Sequence, residues 1–342
     1  MQLTEREYLS SHPGQPQPET TPAIVVPRYP GRRAPRTTFE AMVVLTRAEA
    51  TLALVMPVMV GAVLGWWQTG QFNLINLALA LLGMAANAWG LSALREYHDY
   101  RFSQRPGAPR QPADPIATAY GLMGRGMVAP QTVRDVGRIL LVIGALCALI
   151  LALFAGWPIL FFSGLGFLVV WTVIYMPLHY GYRGWGLSEG AIWLGMGVLP
   201  LLTGYYGQAG EIALLPVWAA GAFGLFSTLL FFNYNAIHYR RDWLIHKRTL
   251  TVNLGLPRAL DVSALLTVAA YVLILLLVTL SHLPLWALTA LGALPVGLGV
   301  FSRVDHNNVT QESCWWVYHN SIHATWLTGV LFALGLVLDR LV

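Results

Sequence analysis

Two short stretches of this sequence concentrate the residue types that hold metals and anions. In ALREYHDYR (93–101) and the serine before it, Ser92, Glu96 and Asp99 stand at i, i+4 and i+7 and share one helical face. In NYNAIHYRRDWLIHKRTL (233–250), Asn235, His238 and Asp242 stand at i, i+3 and i+7 and do the same. Two facing rows of oxygen ligands can hold Mg²⁺ against a phosphate. Arg101, Arg105, Arg240, Arg241, Arg248 and Lys247, the single lysine of the chain, lie close in sequence and can neutralise a diphosphate through charge-assisted hydrogen bonds. Acidic and basic residues at helix ends also pair with each other, cap the helix or sit in water. Spacing alone leaves both readings open.

The elements that carry these stretches are apolar. The chain has 342 residues, of which 56% are hydrophobic and 11% charged, and its mean hydropathy is +0.56; a soluble globular domain does not have this composition. Runs of about 20 apolar residues, long enough to cross ~30 Å of hydrocarbon, recur along it. Nine spans are expected, at 42–67, 72–97, 132–155, 158–177, 187–207, 213–237, 258–280, 283–301 and 319–338. Lipid offers the backbone no hydrogen-bond partner, so these runs must be helices. The predicted fold is an all-α bundle of nine transmembrane helices, with each polar stretch at the end of a span.

Arginines cluster in the N-terminal arm, after the second span, at Arg183, after the sixth span and at Arg303, whereas QTGQFN, AGWP, GQAGE and SHLP carry no Lys or Arg. The positive-inside rule puts the N-terminus and the long polar loops in the cytoplasm and makes this a multi-pass protein of the cytoplasmic membrane. Much of the net charge of +5 is thus topological, and no nucleic-acid partner is implied. Residues 1–40 are rich in Pro, Ser, Thr and Gln without an apolar signal-peptide core, and read as a flexible cytoplasmic arm before a transmembrane domain over 41–342. Cys147 and Cys314 lie far apart, which predicts neither a disulfide nor a thiolate metal site.

Four segments resemble the UbiA superfamily of intramembrane prenyltransferases, and most closely its menaquinone branch, the 1,4-dihydroxy-2-naphthoate polyprenyltransferases. LTRAEATLALVMPVMVGAVLG (45–65) is similar to the family's first helix, with Arg47 at the usual arginine. YRGWGLSEGAIWLGMGVLPLLTGYYGQAG (182–210) resembles the branch's GLGE helix, with Glu189 at the glutamate. HKRTLTVNLG (246–255) resembles GKRTLAVRLG, and ALREYHDYR resembles the first aspartate-rich motif, LANDYFDYK. The resemblance implies a nine-helix fold in which two Mg²⁺ ions sit between motifs after helices two and six. It implies transfer of a polyprenyl group from its diphosphate to an aromatic acceptor in quinone biosynthesis. Glu96, Asp99 and Asp242 are then the metal ligands, and His238 and Asn235 complete the site. Arg101, Lys247, Arg248, Arg47 and Arg125 fall to the diphosphate, and Glu189 to the acceptor cavity. Arg125 is equally consistent with simple cytoplasmic exposure, and Glu189 with a bond to a neighbouring helix or to Arg183.

The motifs depart from the family pattern. His238 stands where the first Asp of the second motif belongs, and Mg²⁺ prefers oxygen to imidazole. A further Asp of the first motif falls near Arg105, with Asp114 as its nearest substitute. These departures keep two other readings open. One is a non-catalytic relative that binds a quinone, pigment or prenyl lipid within a membrane assembly. The other is Mg²⁺-assisted ionisation with a different fate for the cation, such as terpene cyclisation. His319 and His323, i and i+4 near Asp305 and His306, read as packing histidines rather than a metal pair.

Overall fold

The structure is a computed structural model and describes residues 35–104, 121–124, 126–175, 178, 180–244, 247–280, 283–306 and 308–342. Residues 1–34 of the expected arm, together with Arg105, Asp114 and Arg125, lie outside the described residues. Among the described residues every regular element is a helix: α1 Thr38–Leu45, α2 Thr51–Thr69, α3 Leu74–Ser103, α4 Pro130–Ala155, α5 Pro158–Ile174, α6 Leu187–Ala209, α7 Leu214–Ile237, α8 Tyr239–Leu244, α9 Leu250–Leu254, α10 Leu256–Leu280, α11 Leu285–Arg303 and α12 Gln311–Leu341. Eight of these are long and apolar enough to cross a membrane. The chain is a multi-pass integral membrane protein.

Three elements differ from the hydropathy expectation. The fourth span is the 17-residue α5, at roughly 25 Å short of the hydrocarbon thickness. It starts on Pro158 and stops where Tyr175 turns extended. The first span is divided: α1 ends at Leu45, and Arg47 takes a left-handed conformation (φ 57°, ψ 40°) before α2 begins. The last helix starts at Gln311, eight residues before the expected 319, because Thr310 caps it by accepting from the Ser313 amide (3.2 Å). Hydropathy measures apolar length, whereas a helix continues until its end groups are satisfied.

Small residues bring the helices together, as expected where lipid cancels the hydrophobic drive between them. Gly83 and Gly90 on α3 face Gly144 and Gly137 on α4. A Cβ on Gly90 would lie 2.8 Å from the Gly137 carbonyl oxygen, and one on Gly144 would lie 2.4 Å from Asn87 Oδ1. Each pair is seven residues apart, so one face of each helix makes both contacts. The α4 span itself is only 17% buried and forms an outer wall. Within α6, a π-helical turn at Trp193–Val198 shifts the helical register between Glu189 and the packed second half.

The helices alternate in direction. α3, α5 and α7 end, and α2, α4, α6 and α12 begin, at the face that carries the arginine-rich connections. Both polar stretches lie at that face, one at the end of α3 and one running from the end of α7 to α9.

Candidate functional site

Glu96 and Asp99 ride on the last turns of α3, and Tyr234 and Asn235 on the last turn of α7. His238 ends α7. The chain then folds back through α8: the Asp242 amide donates to the His238 carbonyl (2.9 Å) and the Lys247 amide to the Asp242 carbonyl (2.7 Å). Thr249 caps α9 by accepting from the Val252 amide (3.3 Å). This return path turns Arg241, Asp242 and Lys247 inward, beneath α3.

The result is a charged cluster shut away from solvent. Lys247 Nζ donates to Asp99 Oδ2 at 2.7 Å, and Arg241 Nη2 reaches the same oxygen at 3.2 Å. Arg241 also grips its neighbour Asp242, with Nε at 2.8 Å and Nη2 at 2.7 Å from Oδ1. Its Nη1 lies 3.8 Å from Glu96 Oε2. Glu96 Oε1 accepts from the Tyr234 hydroxyl (2.7 Å) and lies 4.0 Å from Arg47. The Arg47 guanidinium stacks on the Tyr234 ring, 3.3 Å from its centroid. Arg95 donates to Asn235 Oδ1. Glu96, Asp99, Asp242, Arg241 and Lys247 are each no more than 3% exposed. Charges so buried persist only when paired, because desolvation costs several kcal/mol per ion. His238 packs edge-on to Tyr234 at 4.5 Å, and its Nε2 has no hydrogen-bond partner. Burial, and then the charges of Arg241, Arg47, Arg95 and Lys247, hold this imidazole well below its usual pKa, so it is neutral.

Beside the cluster opens a cleft of about 470 Å³, lined among others by Arg95, Asp99, Asn235, Lys247, Ser188 and Glu189. Glu189 Oε2 accepts from the Ser188 hydroxyl (2.6 Å), while its Oε1 is buried with no hydrogen-bond partner. Glu189 lines this cleft. A second cavity of about 580 Å³ continues along the same helices: its walls include Leu91, Val170 and Met196, each about one turn from Arg95, Val173 or Ile192 of the cleft. It is mostly apolar. A charged cleft and a mostly apolar space thus lie one above the other inside the bundle.

Of the residues singled out in the sequence, Glu96, Asp99, Asn235, His238, Asp242, Lys247 and Arg47 meet in the cluster, and Glu189 joins the adjoining cleft. Arg101, Arg240 and Arg248 do not: all three are exposed. Arg101 and Arg248, expected at the diphosphate, line neither cavity; Arg248 instead bridges backbone to backbone with Arg183. Three residues carry more of the site than the sequence implied. Arg241 touches all three carboxylates, Tyr234 joins Glu96 to Arg47, and Arg95 bonds Asn235. Arg95 and Asp99 stand at i and i+4, a spacing that identifies them as sharing a face. His319 stacks on Trp315 at 3.8 Å and His323 accepts from Trp326 at 3.2 Å, which makes both packing residues.

A pair of Mg²⁺ ions does not fit this donor set. Mg²⁺ needs near-octahedral oxygens at about 2.0–2.1 Å. Here Asp99 Oδ2, Asp242 Oδ1 and Glu96 Oε1 are already engaged by Lys247, Arg241 and Tyr234, with a guanidinium in the space between the carboxylates. The remaining ionisable side chain of the second motif, His238, is a neutral imidazole. Asp242 Oδ2 is the one oxygen of that residue with no hydrogen bond.

Membrane-crossing helices around a cationic cleft and an apolar cavity define a polytopic integral membrane protein with an internal site. The chain belongs to the UbiA prenyltransferase family, whose model matches residues 54–322. Its fold is similar to that of a UbiA homolog from Archaeoglobus fulgidus bound to GPP and Mg²⁺, with a TM-score of 0.57 and 14% identity over 85% of this chain and 99% of that one. The same homolog bound to DMAPP and Mg²⁺ matches with a TM-score of 0.55 and 14% identity over 85% of this chain and 98% of the other. A structure of digeranylgeranylglyceryl phosphate synthase matches with a TM-score of 0.53 and 13% identity, covering 88% and 99% of the two chains. No curated protein sequence matches the chain.

Proposed function

We propose that this protein transfers a polyprenyl group from its diphosphate to an aromatic acceptor resembling dihydroxynaphthoate, in the cytoplasmic membrane. The observation that carries this reading is the placement of a cationic cleft and a mostly apolar cavity at successive levels of the same helices. A prenyl diphosphate has that shape, with an anionic head for Arg95 and Lys247 and a hydrocarbon tail for the space bounded by Leu91, Val170 and Met196. The donor's departing charge develops beside fixed, buried cations, the setting in which electrostatic stabilisation is strongest. Glu189 Oε1, buried at the cleft without a partner, offers the acceptor a hydrogen-bond acceptor or base. The menaquinone-type acceptor rests on the resemblance of the segment 182–210.

Mass-spectrometric detection of product from purified protein, geranylgeranyl diphosphate and 1,4-dihydroxy-2-naphthoate tests the reading, with and without Mg²⁺ and with Asp99→Asn as control. A prenylated, decarboxylated product that vanishes in the variant is the expected outcome. Diphosphate binding with no product and no diphosphate release would instead favour binding without turnover, a reading supported by the internal pairing of the carboxylates.

A further inference from the structure

The carboxylates that resemble metal ligands face a cation that belongs to the chain. Arg241 lies between all three: it bonds Asp242 at 2.7 and 2.8 Å and Asp99 at 3.2 Å, and stands 3.8 Å from Glu96. It is 3% exposed, and its neighbour Lys247, also buried, takes the other share of Asp99. Arg241 is not among the residues that line the cleft, whereas Arg95 and Lys247 are. The cluster therefore has an inner cation that satisfies the acids and an outer pair that faces a ligand.

We propose that the Arg241 guanidinium is the resident cation of the Glu96–Asp99–Asp242 triad, and that Arg95 and Lys247 hold a diphosphate head group without a divalent metal ion. The inference rests on the prenyl diphosphate reading above and specifies how this chain meets that ligand. With Arg47 included, the cluster holds four cations and three carboxylates, and Arg95 is engaged by the neutral Asn235, which leaves its charge available to an anion in the cleft it shares with Glu189. A guanidinium is always charged and offers donors in a planar fork, which suits it to three carboxylates at fixed positions. Replacing it by an uncharged side chain would leave the acids unneutralised and open the space between them to a metal.

The test is binding, read by titration calorimetry on the full-length protein in detergent with geranylgeranyl diphosphate, in EDTA and in Mg²⁺. The expected result is a Kd within about threefold in the two conditions (~0.67 kcal/mol at 1.4 kcal/mol per decade). Arg241→Gln should bind at least tenfold more weakly in EDTA and recover in Mg²⁺. Binding of the unaltered protein in Mg²⁺ alone would overturn this inference and leave the ligand class standing; binding in neither condition would overturn both. Mn²⁺ counted by electron paramagnetic resonance on the ligand-free protein gives a second readout that does not depend on the variant folding. No bound ion removable by Asp99→Asn is expected, and one or two such ions would overturn the proposal.

Discussion

The Tyr234 hydroxyl donates a 2.7 Å hydrogen bond to Glu96 Oε1 across the gap between α7 and α3. The opposite resource of the same side chain, its π face, carries the Arg47 guanidinium. One phenol therefore orients an acid of the first motif and seats a cation from the start of the bundle. Three segments that are distant in sequence meet on it: the end of α3, the end of α7 and the turn between α1 and α2.

Removing that hydroxyl takes a hydrogen bond from a buried carboxylate. Tyr234→Phe keeps the ring under Arg47 but deletes a hydrogen bond to a charged acceptor, at a cost of about 1.5–3 kcal/mol. The detergent-solubilised variant should unfold several degrees below the parent in a thermal-shift assay. An unchanged midpoint would mean that Glu96 is held by something other than this bond.

Arg47 has a backbone role separable from its charge. It is the non-glycine residue with positive φ among the described residues, a conformation that costs an ordinary L-residue roughly 1–2 kcal/mol. Both Arg47→Ala and Arg47→Gly lose the charge and the ring contact, but only glycine relieves the backbone. Arg47→Gly should therefore be the more stable of the two, by about 1 kcal/mol. Equal stabilities would show that the backbone relaxes once the side chain is gone.

Much of this architecture was legible in the sequence because lipid leaves a chain few choices. Apolar runs of spanning length must be helices, and the arginine bias sets which ends lie together. The acids Glu96, Asp99 and Asp242 were visible by their spacing. What spacing could not reveal was their partner. Arg241 is one of several basic residues in a run that also holds Arg240 and Arg248, and nothing in the run distinguishes them. The fold-back of α8 decides which of the three turns inward, and it depends on contacts between residues more than a hundred positions apart. Likewise, Arg101 continues the helix that bears Asp99, but falls on its exposed side.

Neutral His238 predicts a pH response. Burial and four neighbouring cations keep the folded imidazole uncharged well below 6.5, whereas the unfolded chain takes up a proton near 6.5. Below that pH the unfolded state binds the extra proton, so stability should fall as pH drops from about 7 towards 5. His238→Gln removes the linkage and should flatten that slope in unfolding measurements at matched ionic strength. Parallel slopes for the two proteins would show that His238 is charged in the fold or is not buried.

Glu189 separates acceptor chemistry from donor binding. Its Oε1 has no hydrogen-bond partner and its Oε2 accepts from the Ser188 hydroxyl. Glu189→Gln should fold normally and bind geranylgeranyl diphosphate as tightly as the parent, yet lose at least about tenfold in product formation, the scale of a positioned acid–base group. Loss of diphosphate affinity would move Glu189 into the head-group site.

Lys247 and Asp99 form an ion pair 2.7 Å apart and buried on both sides. A buried pair is weak evidence for net stability, since desolvation offsets much of its attraction, but breaking one side leaves an uncompensated charge. Lys247→Met should therefore destabilise by about 3–5 kcal/mol, moderated by the remaining contact of Asp99 with Arg241. Asp99→Asn in the same chain should recover a large part of the loss, because it removes the stranded charge. Diphosphate binding should not recover with it, since Lys247 faces the cleft and its ammonium is needed there. Chemical denaturation of the two single variants and the double variant, beside calorimetric titration of each, reads both quantities. Additive stability losses would show that the pair is not coupled, and recovery of binding in the double variant would place the head group elsewhere.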